Sequence, residues 1–399
     1  MVSKKIEKAL EGSSVIRAMF NEGREMAQKY GADSVYDFSL GNPATPAPDK
    51  VNQAIRTAVD TVDSLQLHGY MSNAGYEEVR QKMADNLNRR FQTDYTAKNI
   101  ILTVCSAGGL NIIFKTLLDA GDEVVVFAPY FGEYKAYAAN FDAVIVETEP
   151  DYATFQPNLS DFEKKLSDKT KVVLVNTPNN PTGVVYSEET LKKLAEIMEK
   201  KQQEYGHEIY LVSDEPYREL VYDGAKELFL TDYYDNTIVG YSFSKSLSLP
   251  GERIGYVAVS DRVSDSKRIL EGLEISNRTL GFVNAPALIQ RAVAAGVDEK
   301  TDVAFYDKNR TILYEGLTGL GFECVKPQGA FYLWMKSPDK DEERFVQAAK
   351  KYHIILVKGS AFACAGYVRL AYCVSTDMIE RSLPEFKKLA NEYGLNKDE

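Results

Sequence analysis

The sequence predicts an α/β fold: a large domain with a mostly parallel sheet flanked by helices, and a smaller α+β domain. Two observations carry that expectation. From about residue 99 to 260, short runs rich in valine and isoleucine alternate with amphipathic stretches, the pattern of strands buried on both faces between helices. Residues 39–50, SLGNPATPAPDK, crowd three prolines and a glycine into a turn-rich bridge. The expected division puts residues 48–295 in the large domain and residues 1–47 plus 296–399 in the small one. A chain of 399 residues has room for about two or three domains.

The expected strands are IILTV (100–104), EVVVFAP (123–129), AVIVETE (143–149), KVVLVNTP (171–178), EIYLVSDE (208–215), TIVGYSFS (237–244) and RIGYVAVS (253–260). Helical periodicity marks GLNIIFKTLLDA (109–120) and SEETLKKLAEIMEKKQQEYG (187–206). The second has Ser187 at its N-cap and Glu188 and Glu189 in its first turn, where side-chain oxygens and negative charge meet free N–H groups. Beyond residue 300, helical patterns at 304–319 and 376–393 flank FECVKPQGAFYLWM and IILVKGSAFACAGYVRLAYCV, which read as the strands of the smaller unit.

Composition narrows the function. Lys and Arg number 47 against 58 Asp and Glu, a net charge of −11; such acidity repels phosphate backbones and anionic membranes, so neither is expected as a main partner. Cys105, Cys324, Cys364 and Cys373 show no CxxC spacing and sit in apolar or mixed runs, as reduced thiols do. His68, His207 and His353 are far apart, and no metal centre is expected. The opening MVSKKIEKALEGSSVI lacks an apolar core, and no window approaches the roughly 18 apolar residues of a membrane span. A cytoplasmic protein is expected.

In open α/β sheets, ligands collect at the carboxyl ends of the strands, and this chain keeps its unusual residues there. Asn176-Thr177-Pro178-Asn179-Asn180-Pro181-Thr182-Gly183 is a stiff turn, able to aim an asparagine at a ligand or simply to join strand to helix. Asp214 closes an apolar strand, where a carboxylate needs a cationic partner unless it caps a helix or reaches a surface ion pair. Lys245 ends the next strand; a desolvated lysine there becomes a nucleophilic amine, though most lysines merely coat the surface. Ser242, Ser244 and Arg253 beside it are what a phosphate dianion requires. Ser106-Ala107-Gly108-Gly109 opens a helix and lets backbone N–H groups approach an anion, without being a dinucleotide GxGxxG. Arg369, inside the apolar run YVRLAY, needs a counter-ion, either an internal acid or a ligand carboxylate.

Together, SFSK followed by PGERIGY, with NTPNNPTG and SDEPY ahead of them, resemble the fold-type I, class I/II aminotransferases of the aspartate aminotransferase kind, over a span from Gly41 to Arg369. The resemblance implies a homodimeric enzyme using pyridoxal 5′-phosphate, covalent to Lys245 as an aldimine, that moves an amino group from an L-amino acid to a 2-oxo acid by a ping-pong route. It implies that Asp214 pairs with the pyridine nitrogen, that Asn180 and Tyr217 bond the ring oxygen, and that Ser106, the backbone of Ala107 and Gly108, Ser242 and Arg253 hold the phosphate. Phe131, in PYFGEY, matches the ring-stacking aromatic, or is ordinary packing. Arg369 and Gly41, with Asn180, would meet the substrate carboxylate, and Tyr70 would reach the neighbouring subunit's phosphate unless it only packs in the interface. Arg278 lies in the segment that could supply a second cation for a distal carboxylate, in a local sequence that departs from the family's; a surface or dimer contact suits it better. The same core serves C–S β-lyases and racemases, but NNPTG and GERIGY look more like transaminases. A non-catalytic regulatory module would carry a basic DNA-binding segment, and none stands before residue 40.

Overall fold

The protein was analysed as a computed structural model that describes residues 2–11 and 15–395. Its strands are β1 (Tyr36–Asp37), β2 (Ile100–Thr103), β3 (Glu123–Phe127), β4 (Val144–Thr148), β5 (Thr170–Val175), β6 (Tyr210–Asp214), β7 (Thr237–Ser242), β8 (Gly255–Val259), β9 (Cys324–Val325), β10 (Tyr332–Lys336), β11 (Ile354–Ile355), β12 (Val357–Lys358) and β13 (Tyr367–Ala371). Seven of them form one sheet in the order β2-β8-β7-β6-β5-β3-β4. Neighbours from β7 to β4 pair in parallel, while β8 runs against both β7 and β2. Every residue of β7 and β8 is buried, which is why these strands read as continuous apolar runs.

The reversal of β8 positions the site. Strands β2, β3, β5, β6 and β7 deliver cavity-lining residues at or just after their last residue, but β8 delivers Arg253 before its first. Gly255 opens β8 paired to both Thr103 and Ser242; a Cβ there would run into the Tyr241 carbonyl and lie 3.0 Å from Cys105 Cα. Only glycine lets the three strands close at this edge.

A second sheet, β12-β13-β10-β9, is antiparallel throughout, and β1 pairs in parallel with β11. Around it one apolar core gathers Phe38, Tyr217, Tyr306, Phe331, Leu370 and Phe386, covered by the helices Val303–Gly319 and Thr376–Glu392. Three further cores pack on the seven-stranded sheet and between it and its helices. Helix Glu188–Tyr205 starts as expected, with the Ser187 hydroxyl accepting from the Thr190 N–H at 3.0 Å, and ends at Gly206 in the left-handed region.

One element differs. The helix expected from residue 109 spans Cys105–Leu117. Cys105 adopts φ 56°, turning the chain straight out of β2 into the helix, so Ser106, Ala107 and Gly108 form its first turn rather than a loop ahead of it. Among the described residues, no helix is long and apolar enough to cross a membrane.

Candidate active site

At the carboxyl edge of the seven-stranded sheet lies a cavity of about 290 Å³, at the lower end of the roughly 300–1,000 Å³ usual for small-molecule sites. Gly41, Ser106, Ala107, Phe131, Asn180, Asp214, Tyr217, Ser242, Lys245, Arg253 and Arg369 all line it. Segments more than three hundred residues apart in sequence thus meet in one place.

Asp214 is buried at the end of β6. The Ser106 hydroxyl donates to one carboxylate oxygen and the Tyr134 hydroxyl to the other at 2.6 Å. Its main-chain carbonyl accepts from Asn176 Nδ2 at 2.9 Å, and Asn176 Oδ1 takes the Asn180 N–H at 2.8 Å. No lysine or arginine among the described residues pairs with it. Burial raises its carboxyl to about 6, against the two hydroxyl bonds that favour ionisation.

Lys245 sits on the short helix Phe243–Ser246 that follows β7. Its Nζ donates to the Gly41 carbonyl at 2.5 Å and stands 5.4 Å from the Phe331 ring centroid. Although partly open to the cavity, the amine is enclosed by protein, and desolvation lowers it to about 8, with Arg369 and Arg253 acting in the same sense. An amine so placed keeps an appreciable neutral fraction near physiological pH, where an ordinary lysine has almost none.

Arg369 is 1% exposed. Its Nη1 donates to Asn180 Oδ1 at 3.0 Å and its Nη2 to the Ser39 carbonyl at 2.5 Å, while Nε has no partner. It lies over the rings of Tyr332 and Phe362, 4.4 and 4.8 Å from their centroids. No carboxylate pairs with it among the described residues, and burial lowers its guanidinium from the ordinary value. Tyr217 Oη shares a 2.8 Å hydrogen bond with Tyr332 Oη. Gly41 is a glycine for a steric reason: a Cβ would run into the Tyr332 hydroxyl.

At the cavity's other end, Ser242 Oγ donates to Ser244 Oγ at 2.8 Å. Arg253 is exposed at the mouth, with Nη1 on the Pro250 carbonyl at 2.7 Å and Nη2 on Cys105 Sγ. The N–H groups of Ser106 and Ala107 belong to a first helical turn, where intrahelical partners are lacking.

Two expected placements change. Gly108 does not line the cavity; its N–H is taken by the Val104 carbonyl at 3.2 Å, because the helix begins four residues early. The Ser106 side chain is occupied by Asp214 rather than turned to Arg253. Tyr70 is 92% exposed and outside the cavity of its own chain. Arg278 is likewise exposed, near the end of helix Ser266–Thr279. Sequence reasoning missed Tyr134, Tyr137 and Tyr332, which also line the cavity. Tyr134 stood inside PYFGEY and Tyr332 inside GAFYLW, but an aromatic in an apolar run carries no mark of function.

The family model described as aminotransferase class I and II matches residues 33–385. An aspartate aminotransferase of Thermotoga maritima is 30% identical over 97% of both chains. A probable aspartate/prephenate aminotransferase of Thermus aquaticus is 32% identical over 90% of this chain and 92% of its own. A crystal structure of an amino transferase from Eubacterium rectale superimposes with a TM-score of 0.95 at 44% identity, covering 98% of this chain and 99% of that one.

Proposed function

The chain belongs to the class I and II aminotransferases, enzymes that move amino groups between amino acids and 2-oxo acids with pyridoxal phosphate bound to a lysine, and on that premise we propose that Lys245 is the lysine and Arg369 the anchor of the substrate α-carboxylate. The observation that carries the reading is Arg369, a buried guanidinium with an unpartnered Nε and no internal acid among the described residues. Such a charge is costly to bury alone, and a carboxylate entering the cavity would offset that cost with a charge-assisted pair.

The other residues fit the cofactor. Asp214 is an acid whose burial disfavours its ionised form; a protonated ring nitrogen would favour it. Ser242, Ser244, Arg253 and the free N–H groups of Ser106 and Ala107 gather donors suited to a phosphate. Tyr217 and Asn180 carry donors for the ring oxygen, and Phe131 stands in the cavity wall with a flat face to offer. Bound pyridoxal phosphate supplies a carbonyl that takes up the amino group and a ring that accepts electron density. Lys245, its amine lowered to about 8, can both form the covalent link and take the proton from the substrate α-carbon as general base. Gly41 leaves room beside the carboxylate, and Arg369 fixes which face of the α-carbon meets Lys245.

We also infer a cytoplasmic homodimer. Tyr70 and Leu65 are 92% and 85% exposed, an apolar pair that a second copy would cover while Tyr70 reached its cavity. The free thiols of Cys105, Cys324, Cys364 and Cys373 suit a reducing compartment. The chain divides in this reading into residues 48–295, which hold the cofactor, and residues 1–47 with 296–399, whose described part supplies most of the core around Phe331 and Leu370, joined there by Tyr217, Leu220 and Tyr222.

The test is the absorption spectrum of the purified protein before and after single L-amino acids, aspartate first because the relatives bear its name. A visible band that bleaches and returns on adding 2-oxoglutarate or pyruvate is expected. A band that persists while pyruvate and ammonia accumulate would make the enzyme a β-lyase in practice. The absence of any band after incubation with pyridoxal phosphate would overturn the assignment of Lys245.

A further inference from the structure

The turn into β10 presents two consecutive rings to the two cations of the site. Phe331 lies under Lys245 and Tyr332 under Arg369. The turn is held from several sides. Gln328 and Gly329 both donate their N–H groups to the Gly183 carbonyl, at 2.8 and 2.9 Å, tying it to the turn that carries Asn180. Ala330, at φ 56°, donates to the Leu220 carbonyl at 2.8 Å, and its own carbonyl accepts the hydroxyls of Tyr222 and Tyr372. Gly329 is wedged so closely that a Cβ would lie 2.6 Å from Pro178 Cβ. Tyr332 itself is 3% exposed. Its hydroxyl is bonded to Tyr217 and abuts Gly41.

Resting on the reading of Tyr217 and Arg369 given above, we propose that Tyr332 is a positioning residue for the reaction: its ring seats Arg369, and its hydroxyl donates to Tyr217 so that Tyr217 keeps its own proton for the cofactor. In a pair of hydroxyls only one proton lies between the oxygens, and the other points elsewhere. The Arg369 charge over the Tyr332 ring favours Tyr332 as the donor; burial pushes that phenol up only to about 12, while Tyr217 rises well above its ordinary value. A hydroxyl that accepts one hydrogen bond donates a stronger one in turn. Tyr332 thereby links the group that would hold the substrate carboxylate to the group that would touch the cofactor.

The test is a pH titration of the bound cofactor's visible absorbance in the holoenzyme, comparing the native protein with Tyr332→Phe, Tyr217→Phe and the double variant. Tyr332→Phe keeps the ring and should raise the midpoint by about half to one pH unit, since Tyr217 becomes a weaker donor. Tyr217→Phe should raise it further, and the double variant should match Tyr217→Phe alone. An unmoved midpoint in Tyr332→Phe beside a shifted one in Tyr217→Phe would refute the relay and leave Tyr217 its role. Unmoved midpoints in both would remove Tyr217 from the cofactor and the relay with it. For the ring, KM for the amino acid should be at least about fivefold higher in Tyr332→Leu than in Tyr332→Phe; equal values would refute the seat.

Discussion

Arg218 and Arg369 are equally buried, at 1% exposure each, yet they live in opposite electrostatic conditions. Arg218 donates from Nε to Glu215 at 2.5 Å, from Nη1 to Tyr256 at 3.1 Å, and lies over the rings of Phe91, Phe229 and Tyr241. Glu215 in turn accepts from Ser213 at 2.6 Å. Although burial works against it, the surrounding acids and phenols carry the Arg218 guanidinium well above its ordinary value. Arg369 has a neutral amide, a carbonyl and two rings around it, and is lowered. A buried arginine with its acid beside it is complete within the fold; Arg369, without one, is what the proposed carboxylate anchor requires. The pair Glu215 and Asp214 repeats the lesson one residue apart: Glu215 has Arg218, and Asp214 has only hydroxyls.

The comparison can be broken at each of these positions. Arg218→Met should lose about 3–5 kcal/mol of unfolding free energy, because Glu215 is left charged and alone in the interior. Adding Glu215→Leu should recover most of that loss in a denaturant titration, and additive losses would show that the two side chains do not act as a pair. Arg369→Met should behave in reverse. The unloaded protein should change by less than about 1 kcal/mol, since no internal ion pair is broken, while kcat/KM for amino acids falls by about 10²–10³-fold through KM. A large stability loss with unchanged KM would make Arg369 a structural cation.

Asp214 gives the smallest effect and the one with a sign in pH. Its folded carboxyl is raised to about 6, above an unfolded value near 3.9. The folded state therefore holds the extra proton, and the stability this contributes is present below about pH 4 and lost as pH rises to 6. Without cofactor, Asp214→Asn should abolish that fall, gaining on the order of 2 kcal/mol relative to the native chain between pH 4 and 7. The cofactor, by supplying a cation, should remove the difference. A native chain equally stable across this range would mean that Asp214 is ionised against some other positive group.

Much of the fold was legible because buried parallel strands write themselves as Val and Ile runs, and β5, β7 and β8 fall where those runs are. Lys245, Asp214, Asn180, Arg253 and Arg369 were legible as candidates because each is a polar residue set in an apolar frame. The helix start at Cys105 was not, because a left-handed cysteine is invisible in a sequence that offers glycines three residues later. Gly108 was misplaced for that reason. Tyr134 and Tyr332 were hidden by being aromatic among aromatics, and they are set apart only by which group each hydroxyl meets, the Asp214 carboxylate and the Tyr217 hydroxyl.

The sequence by itself determined the layered α/β architecture, the order of the elements and the residue types gathered at the strand ends, because hydrophobic period and turn chemistry are local properties. The tertiary structure alone decided which charges were paired. Whether Arg369 has an acid beside it, whether Asp214 meets a cation or two hydroxyls, and whether Tyr332 touches Tyr217 depend on contacts between residues 80 or more positions apart. Desolvation and charge act through space rather than along the chain, so the chemistry of the site was settled by folding.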